Sequence, residues 1–164
     1  MLKSLRFLEM VFGEENKIRF HFEHQSFYFP HRIVLKNFLL ILFKKEGFKV
    51  KAINYVFCTD RYLLQLNQTY LKHNTYTDII TFGLSEKNQP LIADIYISVE
   101  RVKENALLFQ TSFLKELHRI IFHGALHLCG YKDKRESDVK MMRFKEDYYL
   151  SKYFVPRETK SSKS

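Results

Sequence analysis

His123-Gly124-Ala125-Leu126-His127-Leu128-Cys129-Gly130-Tyr131-Lys132-Asp133 is the stretch on which the reading of this chain turns. Its two histidines stand four residues apart in an apolar run that Thr111 or Ser112 opens as an N-cap. At 3.6 residues per helical turn the two side chains diverge by only about 40° around the axis, so both rings leave one face. With that spacing a helix can offer two imidazoles to one divalent ion. Gly130 tolerates the left-handed conformation that ends a helix and turns the chain back. Asp133, three residues further on, is then placed to bring a carboxylate from a second direction. Three protein donors with one position left for water is the pattern of a catalytic zinc centre, whereas structural sites are closed by four. A bare His-x3-His pair is more often two unrelated histidines, but the helix stop and the third donor favour ligation here.

The remaining histidines do not join the pattern. His118 precedes His123 by five residues, so it points about 140° away and reads as a rim or surface residue. His21, His24 and His31 have no ligand-like spacing, and Cys129 falls on the opposite side of the turn from His127, where it reads as packed.

Working outward, Lys17–Glu23 alternates Ile18, Phe20 and Phe22 with polar partners, the mark of a half-buried strand. His31–Lys45 carries apolar residues at helical spacing and stops at Gly47. A second strand is expected over Phe48–Cys58, and Thr59-Asp60 offers the cap of a helix bearing Leu63, Leu64, Leu66 and Tyr70. Leu71–Thr77 is polar and loop-like, and strands follow at Asp78–Phe82 and Leu91–Ser98, joined by a polar turn. Helices are then expected from Ser98 to about Phe109, from Thr111 or Ser112 through His127, and from Glu136 to about Tyr149. The order strand-helix-strand-helix-strand-strand-helix-helix-helix describes an α+β domain, a small mixed sheet packed with helices. Residues 1–156 form one such domain on this reading, with residues 1–9 an extension before a second start at Met10. Arg157–Ser164 is a disordered tail.

Lys and Arg number 27 against 18 Asp and Glu, a formal net charge of +9. That balance and the pI of about 9.5 suit a nucleic-acid partner without specifying chemistry. Cys58 and Cys129 form no CxxC pair, so neither a disulfide framework nor a zinc knuckle is implied. No apolar run approaches the length of a membrane span, and the N-terminal segment lacks the uninterrupted core of a signal peptide. A cytoplasmic, membrane-free protein is expected. Phe20, Phe22, Phe38 and Phe57 sit at alternating or helical spacing and read as core, and Tyr131 as a residue that orders the loop between donors.

At these residues the sequence resembles the YbeY family of endoribonucleases and rRNA maturation factors, whose pattern is H-G-x-L-H-L-x-G-Y-D-H. The match holds at His123, Gly124, Leu126, His127, Leu128, Gly130 and Tyr131. Upstream, Leu66-Asn67-Gln68-Thr69-Tyr70 with Thr77-Asp78-Ile79-Ile80-Thr81-Phe82 resembles the family's L-N-x-x-Y and T-D-V-L-S-F blocks, and Ala93-Asp94-Ile95 its G-D-I strand. The resemblance implies a zincin-like fold and a metal-dependent endoribonuclease that cuts single strands in rRNA maturation and ribosome quality control. RNA, as rRNA or ribosomal particles, is then the partner. His123, His127 and Asp133 would hold one Zn²⁺ per chain.

Two departures carry consequences. Asp133 stands where the family pattern has a third histidine, which adds a negative charge and widens metal choice toward Mn²⁺ or Fe²⁺. Leu71 stands where the family has an arginine associated with activity; Lys72 and His73 are the neighbouring residues that could hold substrate phosphate. No side chain is singled out as general base. A metalloprotease would need the glutamate of H-E-x-x-H, and Gly124 occupies that position. The alternative from another class is a non-catalytic RNA-binding or ribosome-assembly factor with a structural metal.

Overall fold

The computed structural model describes residues 17–23 and 26–155. The expectations for residues 1–9, for His24 and for the tail after residue 156 lie outside them. Among the described residues, four strands and five α-helices follow one another in the expected order. They are β1 (Ile18–Phe22), α1 (Arg32–Lys45), β2 (Val50–Cys58), α2 (Asp60–Leu66), β3 (Ile79–Gly83), β4 (Leu91–Ser98), α3 (Val99–Leu108), α4 (Phe113–Leu128) and α5 (Glu136–Tyr153). The last helix runs a turn beyond the Tyr149 expected from sequence, because Tyr149, Leu150 and Tyr153 continue its packed stripe. One π-helical turn, Asn67–Leu71, prolongs α2.

The strands form one mixed sheet in the order β1-β2-β4-β3. β1 and β2, and β2 and β4, run parallel; the polar turn between β3 and β4 makes their pairing antiparallel and leaves β3 on the edge. One face carries Ile53, Tyr55, Phe57, Ala93, Ile95 and Ile97 against α1 and α4, with α5 packed on α4, and these residues belong to the main core. On the other face α2 covers Cys58 and Ile80 with Leu63. That explains why the alternation of β2 gives way at its C-terminal end, where Tyr55, Val56, Phe57 and Cys58 are all buried. Phe57 lies in the main core, with Phe20, Phe22 and Phe38 packed against it. The sequence reading of His118 is corrected: it is 3 % exposed, because its helix face is covered by Phe29, Phe122, Tyr153 and Phe154.

Helix α4 lies unusually near the sheet at one point. A Cβ added to Gly124 would stand 2.9 Å from Ile79 Cδ1 and 3.1 Å from Ile95 Cγ2. Gly124 therefore faces β3 and β4 and admits the close approach. Tyr55 adds a tether, its buried hydroxyl donating to the Ile121 carbonyl oxygen at 3.1 Å. The helix is thus held by its back while His123 and His127 leave it on another side.

Candidate metal centre

Ser112 rather than Thr111 caps α4, its hydroxyl accepting from the Lys115 N–H at 3.2 Å. At the other end Cys129 is the C-cap and Gly130 adopts φ 91°. Gly130 N–H donates to the His127 carbonyl oxygen at 3.0 Å, and Tyr131 N–H to that of Leu126 at 3.1 Å, a Schellman closure. The reversal carries the following loop back over the helix end. It brings Asp133 Oδ2 to 3.3 Å from His127 Nε2 and 3.6 Å from His123 Nε2. The two Nε2 atoms are 2.9 Å apart. Donors about 2.0–2.1 Å from a tetrahedral ion subtend edges of about 3.3–3.4 Å, and the three observed edges bracket that value. The residues therefore fit a divalent ion, and they are the cluster of this kind found among the described residues.

Each imidazole is already oriented by its other nitrogen. His123 Nδ1 donates to Glu146 Oε1 at 2.6 Å, and His127 Nδ1 donates to the Tyr131 carbonyl oxygen at 2.9 Å. Both Nε2 atoms are left as bare acceptors on the same side, the tautomer a metal ligand requires. Behind His123 the network deepens. Arg119 spans Glu146 Oε2 at 3.1 Å and makes a bidentate pair with Glu116 at 2.6 and 2.9 Å. Burial acts to raise the Glu146 pKa, but the His123 hydrogen bond and the Arg119 charge outweigh it and hold the carboxyl below its ordinary value. Behind His127, the Tyr131 hydroxyl donates to Glu46 at 2.8 Å, and Lys145 and Tyr149 meet the same carboxylate. Tyr131 thus orders the loop as expected. Cys129 packs against the core, and burial pushes its thiol up to about 12, so it offers no thiolate.

Sequence reasoning did not single out Glu146, Glu116, Arg119 or Glu46. A signal was present. Glu116, Arg119 and His123 share one face of α4, and Glu146 interrupts the buried stripe of Met142, Tyr149 and Leu150 on α5. A carboxylate in a buried stripe calls for a buried partner.

His123, His127 and Asp133 open onto a groove of about 1460 Å³ that follows β3 to the turn before β4. His73, Leu71, Lys134, Lys87 and Lys49 also line it, whereas Lys72 is not among the lining residues. Lys72 ends the π-helical turn with φ 55°, a left-handed conformation that is costly for a lysine. Buried Asn67 closes that turn: its carbonyl oxygen accepts from His73 N–H at 3.3 Å, and its side-chain amide donates to the Thr75 carbonyl oxygen at 2.7 Å.

An α+β domain that offers three convergent donors at the mouth of an open groove has the architecture of a hydrolytic metal centre rather than a closed structural one. The chain belongs to the endoribonuclease YbeY family, whose model matches residues 21–154. An endoribonuclease YbeY of Cytophaga hutchinsonii is 45 % identical over 138 residues, covering 84 % of this chain and 96 % of the relative. One from Flavobacterium psychrophilum is 52 % identical over 112 residues, 68 % and 76 % of the two chains. The solution structure of TM1509 from Thermotoga maritima superposes with a TM-score of 0.58 at 29 % identity, covering 82 % and 88 %. Among the described residues no helix is long and apolar enough to cross a membrane.

Proposed function

We propose that this chain is a metal-dependent endoribonuclease in which His123, His127 and Asp133 hold one divalent ion, Zn²⁺ in the first place with Mn²⁺ or Fe²⁺ as substitutes. The observation that carries the reading is the pair of Nε2 atoms aimed at Asp133 Oδ2 while both Nδ1 atoms are engaged elsewhere. When bound, such an ion supplies Lewis acidity, polarising a phosphoryl oxygen and acidifying water toward neutrality. The chain's own part is positional. Glu146 and the Tyr131 carbonyl hold the imidazoles, and the Asp133 carboxylate fixes the third corner. The groove along β3 receives a single RNA strand, with its lining residues His73, Lys134, Lys87 and Lys49 as phosphate contacts. Lys72, outside the lining, contributes at most to the surrounding potential.

The family supports a role in rRNA maturation and ribosome quality control in the cytoplasm, with rRNA or ribosomal particles as substrate. Gly124 packs on Ile79 and Ile95, so the residue after the first histidine cannot carry a protease's general base. The test is elemental analysis of purified protein with an RNA-cleavage assay. Wild type is expected to hold about one divalent ion per chain. His123→Ala loses the ion and the cleavage, and Asp133→Ala weakens both. A folded wild type that takes up no divalent ion overturns the reading.

A further inference from the structure

The groove lining contains two aromatics. Phe48 packs against the core, while Tyr76 is 56 % exposed. Tyr76 is not a loose loop side chain. The Arg101 guanidinium sits over its ring, 4.8 Å from the centroid. Arg101 is itself locked to Asp60 at 3.0 and 3.1 Å and to Glu104 at 3.0 Å. The backbone on either side is pinned as well: the Asn67 amide donates to the Thr75 carbonyl oxygen at 2.7 Å, and Ser98 N–H donates to the Asp78 carbonyl oxygen at 2.9 Å. The result is a pre-organised ring, cation-backed on one face and open to the groove that leads to His123 and His127.

From this arrangement we propose that Tyr76 is a stacking platform for one unpaired nucleobase of the substrate, with Arg101 as its positioning partner. The inference rests on the endoribonuclease reading and adds what selects single strands. A base can reach Tyr76 only when it is not paired, and stacking accepts any base because each has a π-face. It also accounts for anchoring beside Leu71, which lines the groove without a charge to hold phosphate. Each of the three Arg101 nitrogens already meets Asp60 or Glu104, so its contribution passes through the ring and not through a phosphate contact.

The test is steady-state cleavage of a single-stranded oligoribonucleotide by the metal-loaded full chain. Tyr76→Ala is expected to raise KM about 5- to 150-fold, the range for loss of one stacked base, with kcat nearly unchanged. Tyr76→Trp restores the wild-type KM, and the salt dependence of KM is the same in all three proteins, since no phosphate contact is removed. One abasic position in the oligonucleotide brings wild type to the level of Tyr76→Ala and leaves the variant unaffected. Tyr70→Ala serves as control, because Tyr70 is 67 % exposed but is not among the groove-lining residues and rests on Phe82. The proposal is overturned if Tyr76→Ala stays within about twofold of the wild-type KM, if Tyr70→Ala loses as much, or if no abasic position abolishes the difference. A metal-loaded wild type that cleaves no RNA overturns it together with the endoribonuclease reading, whereas the three former results leave that reading standing.

Discussion

Glu146→Ala is the perturbation that probes the metal centre without touching a donor. The side chain is 5 % exposed, and its Oε1 accepts from His123 Nδ1 at 2.6 Å. Removing it frees the ring to rotate about χ2 and lets the ring proton move from Nδ1 to Nε2, which takes away the lone pair offered to the metal. His127 is untouched, because its Nδ1 is held by a backbone carbonyl. Losing such an orienting partner typically weakens metal binding about 10- to 100-fold, or about 1.4–2.7 kcal/mol. The fold has to survive for the comparison to mean anything, and the network indicates that it does. Arg119 loses its 3.1 Å contact but keeps both contacts to Glu116, so the expected cost is about 1–3 kcal/mol. Leaving a buried charge with no partner would cost more, about 3–5 kcal/mol. The assay is Zn²⁺ competition with a chromophoric chelator, with circular dichroism on the same samples. Glu146→Gln retains an acceptor oxygen for His123 and is expected to fall between wild type and Glu146→Ala. A folded Glu146→Ala protein that binds Zn²⁺ within about twofold of wild type would refute the claim that the second nitrogen orients the first.

Three further outcomes follow from packing and charge. Gly124→Ala forces a methyl group to 2.9 Å from Ile79, and overpacking of this kind costs about 1–3 kcal/mol, partly offset by the better helix propensity of alanine; urea denaturation showing equal or greater stability would count against the close-approach argument. His118 is buried with Nδ1 donating to the Leu114 carbonyl and Nε2 without a partner among the described residues, and burial lowers its pKa below the usual histidine value. The imidazole is neutral in the native state, so its stability contribution is complete above the unfolded pKa of about 6.5 and drains away as pH falls below it, at up to about 1.4 kcal/mol per pH unit. His118→Leu should flatten that acid-side slope in thermal melts, and an unchanged slope would assign it to other groups. Glu46→Ala strips the shared acceptor from Tyr131, Tyr149 and Lys145, with an expected loss of about 2–3 kcal/mol in chemical denaturation and no change in which residues bind metal; retention of wild-type stability would show that water replaces the carboxylate.

Features that depend on distances along one helix or strand were legible from residue order. His123 and His127 share a face because the rise and twist of a helix are local, and Gly130 turns the chain because it lacks a Cβ. The order of elements and the mixed sheet were legible for the same reason: hydrophobic periodicity of 2 or 3.6 reports which backbone buries a stripe. His118 shows the limit, since its angle from His123 was readable but the aromatic cage that buries it was not. Packing between elements settled which carboxylate meets His123, that Glu46 at the C-cap of α1 steadies Tyr131, and that Tyr76 and His73 reach the groove while Lys72 does not. These pairs join residues 23 to 85 positions apart or loops that cross element boundaries. Their contacts exist only once α1 and α4 have buried their apolar stripes against the sheet and α5 has packed on α4, and that packing sets the rotation of each helix, a quantity no single helix contains.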